Sequence, residues 1–212
     1  MSRAIILAST SRYRRAILDA IGLDYQAHAP DFEEVPDDTI APEAMAISFA
    51  RAKAESLGER YPEALILGSD QVVELDGRAL GKPGTPERAV EQLLRLAGRT
   101  HRLLTAVALH DASAGRTEHR LVVHQMRMRP LTEALAGAYI ARDQPLDCAG
   151  AYKVESLGAA LFEEMLGTDH TAIVGLPITG VAELLAGAGV DLLARISGAW
   201  TRPAPGANPL GC

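Results

Sequence analysis

Apolar residues fall in short, well-separated blocks along this chain, and their spacing alternates between that of strands and that of helices. Ala4-Ile5-Ile6-Leu7-Ala8 is an unbroken run that predicts a buried strand over 4–9, followed by a helix from about 12 to 22 closed by Gly22. Tyr25 to Ala29 reads as a strand. Ala41-Pro42-Glu43 opens a helix to about Arg60, with Pro42 suited to the first turn. Ala64 to Gly68 is a second buried strand running into GSDQVVEL, and Asp76-Gly77 marks a hairpin turn between Val72-Val73 and Ala79-Leu80. Thr85-Pro86-Glu87 combines a cap, a first helical proline and an acid, opening a helix that Gly98 ends. Two longer strands follow at 101–109 and 119–128, joined through Ser113-Ala114-Gly115, and helices are expected from Thr132 to Arg142 and from Pro177 to about Ala188. AALFEEML (159–166) favours helix by propensity alone. Strands alternating with helices imply a mixed α/β layer structure, in which ligands bind at the carboxyl ends of strands. Ser9 ends the first predicted strand and Asp70 the Ala64–Gly68 strand.

Charge changes the picture at the first helix. LASTSRYRRA puts Arg12, Arg14 and Arg15 at a helix N-terminus, where unpaired N–H groups and a positive dipole end normally attract acids. Ser11 can cap, but the capping-box position three residues on is Arg14 rather than Glu or Gln. Left unanswered, each cation there costs about 0.3–1 kcal/mol, and a bound polyanion turns that cost into affinity. The net charge over 212 residues is −6, which argues against a nucleic-acid-binding face and leaves a local basic pocket for a small phosphorylated ligand. Hydrophobic residues make up 48% of the chain, enough for a core, and no run reaches the length needed to span a bilayer. Cys148 and Cys212 form no disulfide framework, no signal-peptide pattern precedes the first strand, and the expected location is cytoplasmic. One domain with two lobes is expected over 1–195. The Pro-, Gly- and Ala-rich segment 196–212, including Trp200, is expected to be a disordered tail.

Four further residues carry chemistry. Asp70, after an interior run, is either a structural cap or a working group. Glu33 and Glu34 lie in an acidic stretch that is either a solvated loop or, through Glu34 together with Asp70, a hard oxygen site for a divalent ion beside substrate phosphates. Met45, Phe49, Lys53 and Leu57 are spaced by four, placing a cation in an apolar helical stripe, either snorkelling to the rim or reaching into a pocket. Lys82 precedes a helix start, a surface lysine or an anion-holding one. HExxH, paired-cysteine and GxSxG patterns are missing, and GLPITG lacks the lysine and length of a P-loop.

Taken together, LASTSRYRR, GSDQVVELDGRALGKP, LAGRTHRLLTAVAL, CAGAYKVESLGAALFE and TAIVGLP resemble, in order and spacing, the motifs of the Maf family of nucleotide pyrophosphatases over residues 5 to about 185. The resemblance implies hydrolysis of the bond between the α and β phosphates of a nucleoside triphosphate. It also implies a fold like that of the inosine-triphosphate pyrophosphatases (Maf/Ham1), an elongated mixed sheet with flanking helices and two lobes around a cleft. In that fold Gly158 to Leu166 is a strand. Carried over by motif, Ser9, Arg14 and Arg15 match phosphate-contacting positions, Lys53 and Lys82 the phosphate-binding catalytic lysines, Asp70 the proton acceptor, and Glu34 with Asp70 the site of a divalent metal, magnesium or manganese. Family members are often homodimers; neither nucleic acid nor membrane is an expected partner.

Three positions resemble those that separate family branches. Branches for dTTP and UTP read GADT and carry glutamine in a late GYGIQG motif. Here Gln71 follows Asp70 and KVES places Glu155 at the glutamine position, matching the branch that prefers 7-methyl-GTP. A carboxylate accepts hydrogen bonds from guanine N1–H and the exocyclic amine. Tyr13 stands where that branch shows tryptophan, suited to a cation–π contact with a methylated base, and Arg12 replaces a common proline. The alternatives are a dTTP/UTP pyrophosphatase, a broad house-cleaning enzyme, and a non-catalytic nucleotide-binding regulator of cell division.

Overall fold

A strand covered on both faces of its sheet is apolar throughout, and β1 (Ile5–Ala8) is buried at all four positions. It runs parallel to β2 (Gln26–His28) on one side and β3 (Leu65–Leu75) on the other. β3 also pairs antiparallel with the short β4 (Arg78–Leu80) and with β5 (Thr100–Asp111), which pairs with β6 (Arg116–Met128), which pairs with β7 (Phe162–Leu166). The result is a seven-stranded mixed sheet in the order β2-β1-β3-β5-β6-β7, with β4 beside β3. The computed structural model describes residues 3–35, 37 and 39–196, the last two by backbone alone. The expected tail, with Trp200 and Cys212, lies outside the described residues save for its first residue.

Helices cover both faces. On one, α2 (Pro42–Glu55) lays Ala46, Ala50 and Ala54 on Ile66, Leu104, Ala106 and Ala108. The approach is close because the strand offers Gly68. A Cβ there would fall on the carbonyl oxygen of Ala50 and the amide of Ala54. Backbone atoms of a packed helix cannot step aside, so Gly68→Ala is expected to lower unfolding free energy by roughly 1–3 kcal/mol, read as an earlier urea midpoint with unchanged slope.

On the opposite face there are two cores. The first gathers Leu18 of α1 (Arg12–Ala20), Leu65 and Leu67 of β3, Val107 and Leu109 of β5, and Val181, Leu184 and Leu185 of a later helix, Ile178–Gly187. The second lies at the far end of the same strands, where α3 (Pro86–Leu96) and α4 (Glu133–Asp143) pack Leu93, Leu96, Tyr139 and Ile140 against Val73, Leu75, Leu103 and Met126. Between them that face of the sheet turns polar, with Ser69 and Gln71 on β3 and Thr105 opposite Gln71 on β5. Two cores therefore share one face of the sheet.

Several boundaries differ from the sequence expectation. The strand expected to finish at Gly68 continues through Asp70 to Leu75, because β5 pairs with it continuously from Leu65 to Glu74. The helix expected to reach Arg60 stops at Glu55, where the Ser56 hydroxyl donates to the Lys53 carbonyl and accepts from the Asp31 amide. AALFEEML is not a helix. It divides into a 3-10 turn (Leu157–Leu161) and β7, whose ladder to β6 overrides local propensity, so the strand expected from Gly158 begins at Phe162. Two further short helices were not expected, α5 (His170–Val174), capped by Asp169, and α7 (Leu192–Ile196), which follows α6 (Ile178–Gly187).

Candidate active site

The polar stretch of β3 opens sideways. Pairing between β1 and β3 ends at Leu7 and Leu67, and β4 joins β3 only from Val73. On that side residues 68–72 thus have no strand beside them, while β5 pairs along the other, and the gap lies directly beyond the carboxyl end of β1 and the start of α1. A cavity of about 600 Å³ fills this notch, lined by the residues Ala8 to Arg15, by Glu34, Lys53, Asp70, Gln71 and Lys82, and by segments 147–149 and 174–175. This is the size of a small-molecule site.

Lys53 decides its electrostatics. The side chain leaves α2 inside the apolar stripe and is 4% exposed, so it reaches inward rather than snorkelling. Its Nζ lies 2.6 Å from Asp70 Oδ1 and 2.5 Å from Glu34 Oε1. A buried ammonium is tolerated only with partners this close. Lys82, exposed on its loop, approaches Glu34 Oε2 at 3.3 Å. Partial burial pushes the Glu34 carboxyl upward, but the two lysines outweigh it and hold the group below its ordinary value. Glu34 thus lies on an exposed segment, but its carboxylate is turned toward the two lysines. Asp70 is not at a strand end. It sits mid-strand opposite Ala106, buried, with Oδ2 free of hydrogen bonds among the described residues. It reaches the cleft because the neighbouring strand ends, which no single-strand pattern displays.

The start of α1 closes the other wall. Ser11 caps it, accepting from the Arg14 amide at 3.4 Å. The buried Ser9 hydroxyl accepts from the Ser11 amide at 3.1 Å and from Arg14 Nη1 at 3.4 Å. Arg14 Nε donates to the Gly175 carbonyl at 2.9 Å. Desolvation lowers the Arg14 pKa from its ordinary value, against the attraction of Asp70 and Glu34. Arg15 lines the cavity and is exposed. Arg14 thus faces Asp70 of β3 and Glu34 of the 31–35 segment, and Ser9, Arg14, Arg15, Lys53 and Lys82 line one cavity.

Of the three expected base-contacting residues, Tyr13 and Gln71 line the cavity, whereas Glu155 is exposed, is not among the lining residues, and comes near through Tyr13 and Arg12. Enclosure raises the Glu155 carboxyl, while Lys153, the Tyr13 hydroxyl and Arg12 pull the other way. The Arg12 guanidinium lies 4.7 Å from the Tyr13 ring centroid and donates to its hydroxyl at 2.7 Å. A base stacking on that face of the ring would displace it. The Gln71 amide nitrogen donates to Thr105 Oγ1 and to the carbonyls of Ala172 and Ile173, at 2.9–3.1 Å. Two fixed carbonyl acceptors settle which end is nitrogen, so the end left for a ligand is the oxygen, an acceptor. Sequence reasoning did not single out Ser69, Thr105 and Gly175; the available signal was two polar residues interrupting one face of an otherwise apolar strand. Nor did it place Cys148 in the cavity wall. That thiol is half-buried, and burial pushes its pKa up to about 12, which makes it a poor nucleophile.

Among the described residues no three His, Cys, Asp or Glu side chains gather into a metal cage. Glu34 and Asp70 offer two hard carboxylates on one wall. That set suits a divalent ion that takes its remaining ligands from phosphate and water. No helix among the described residues is long and apolar enough to cross a membrane.

The chain is 42% identical to the 7-methyl-GTP pyrophosphatase of Syntrophotalea carbinolica over 90% of its own length and 98% of that protein. It is 44% identical to the 7-methyl-GTP pyrophosphatase of Xanthomonas campestris pv. campestris, over 91% and 100% of the two chains. It is 42% identical to the protein of the same name from Thiobacillus denitrificans, over 91% and 96%. Among solved structures, a HAM1 protein from Coxiella burnetii aligns with 60% of this chain and 73% of its own, at 18% identity and a TM-score of 0.43. The family model described as Maf-like protein matches residues 4–188, and the chain belongs to that family.

Proposed function

We propose that this protein is a nucleoside triphosphate pyrophosphatase that hydrolyses 7-methyl-GTP to 7-methyl-GMP and pyrophosphate. The observation that carries the reading is the buried Lys53 ammonium held between Asp70 and Glu34 in the same cavity as Arg14 and Ser9. A triphosphate carries about four negative charges that repel an attacking water, and preorganised cations remove that barrier. Ser9, Arg14 and Arg15 hold the phosphate chain, while Lys53 and Lys82 stabilise charge developing on the departing pyrophosphate. Asp70, its Oδ1 fixed by Lys53, receives the proton of the water that attacks the α-phosphorus, through Oδ2. Glu34 and Asp70 would hold a divalent cation, magnesium or manganese, which would supply further neutralisation of the phosphate oxygens.

Base selection rests on Glu155 and Gln71, both acceptors toward the donor edge of guanine, and on the Tyr13 ring. The names carried by the relatives support the same substrate. The experiment is pyrophosphate release from 7-methyl-GTP, GTP, UTP and dTTP in the presence of magnesium. Faster turnover of UTP and dTTP than of 7-methyl-GTP refutes the base assignment, and tight binding without turnover of any of them refutes catalysis. Glu155→Gln is expected to shift the kcat/KM ratio of 7-methyl-GTP to UTP toward UTP by about 10-fold or more, because an amide replaces one acceptor oxygen by a donor. An unchanged ratio removes Glu155 from base recognition.

A further inference from the structure

We infer that Ser69, one residue before the proposed proton acceptor, is a positioning residue that sets the Arg14 guanidinium through the carbonyl of Gly175; this rests on the phosphate-binding role of Arg14 proposed above. The last carbonyls of any helix lack partners within the helix. At α5 they are answered from the sheet, by the polar island between the two cores. The Ala172 carbonyl accepts from Thr105 Oγ1 at 2.8 Å and Gln71 Nε2 at 2.9 Å, and Ile173 accepts from Gln71 at 3.1 Å. The Gly175 carbonyl accepts from Ser69 Oγ and from Arg14 Nε, each at 2.9 Å. One oxygen therefore ties the phosphate-facing arginine to the strand that carries Asp70.

The direction of dependence follows from burial. Ser69 is fully buried and paired in the β3–β5 ladder opposite Val107, so the sheet rather than Gly175 fixes the position of its Cβ. Its other acceptor within reach, the Ala106 carbonyl at 2.8 Å, belongs to β5, a strand paired on both sides that already has ladder partners. The Gly175 carbonyl receives no backbone hydrogen bond among the described residues. The hydroxyl proton therefore does most at Gly175, in a left-handed residue (φ 117°) joining α5 to α6. Arg14 in turn uses Nε–H on Gly175 and a long Nη1 contact on Ser9, which orients the rest of the fork into the cavity. Remove the Ser69 hydroxyl, and Gly175 is held by the arginine it is meant to hold.

The test is a double-mutant cycle on Ser69→Ala and Arg14→Ala, read by calorimetric binding of inorganic tripolyphosphate, which carries the charge without a base. Thermal midpoints are measured alongside. Ser69→Ala is expected to weaken tripolyphosphate binding about five-fold when Arg14 is present and less than two-fold when it is absent. Ser69→Cys, which keeps a donor that is weaker and slightly larger, is expected to fall between wild type and Ser69→Ala, and it stands in if Ser69→Ala does not fold. Equal weakening in both backgrounds, or no weakening with Arg14 present, overturns the positioning role alone. If Arg14→Ala itself binds tripolyphosphate as wild type does, the phosphate assignment fails and the positioning role goes with it.

Discussion

Asp70→Asn is expected to keep 7-methyl-GTP bound with an affinity close to wild type while reducing pyrophosphate release by about 10²–10⁴-fold. The amide is isosteric and retains an oxygen that can accept from Lys53 Nζ, so the 2.6 Å contact inside the buried site has a surviving partner. What disappears is a basic oxygen on the cleft side, and the proton of the attacking water has no acceptor of similar position. Glu34, the other carboxylate on that wall, has one oxygen at 2.5 Å from Lys53 and the other facing Lys82, so it does not substitute. The measurement is a pyrophosphate-release assay beside an equilibrium titration with the same nucleotide. Retained turnover refutes the assignment, and loss of binding in step with turnover moves Asp70 from proton transfer to substrate holding.

Lys53→Met is expected to abolish detectable turnover and to lower stability by about 3–5 kcal/mol, because it leaves the Asp70 and Glu34 carboxylates facing each other in the cleft with their shared counter-ion gone. In a domain of this size that corresponds to a fall in thermal midpoint of roughly 6–20 °C. Adding Asp70→Asn to Lys53→Met removes one of the orphaned charges and is expected to restore part of the lost stability but none of the activity. That opposite behaviour separates the two roles of the lysine. If Lys53→Met is as stable as wild type, the buried bridge is not what holds the 31–35 segment against α2, and the site's electrostatics need another origin.

How much of the site was legible before the fold depended on the kind of signal. Arg14 and Arg15 announced themselves because three cations at a helix start contradict the local dipole, and the helix is where that argument requires it, at Arg12–Ala20. Lys53 announced itself as a charge in an apolar stripe. Whether it snorkelled or pointed inward was open, since periodicity gives a face and not a partner. Asp70 was found for a partly mistaken reason. The strand does not end there; its neighbour does, and register between distant segments is not written in either one. Glu34 could not be distinguished from the solvated acids beside it until Lys53 and Lys82 were seen to reach it. Ser69 and Thr105 passed as ordinary strand residues because the remote partners they bind lie on α5, a five-residue helix too short to show a period, and on Gly175 just after it.

The order of strands and helices, the arginine-rich start of α1 and the membership of the Maf-like family follow from the chain alone, since each depends on local spacing or on motifs read in line. Three things did not: that β3 runs on past Gly68, that β6 is the strand with which AALFEEML pairs, and that Lys53 rather than solvent answers Asp70 and Glu34. All three depend on which remote segment supplies the missing hydrogen bonds or the missing charge. A local pattern states what a segment lacks, and only the packed sheet and its helices determine where that is found.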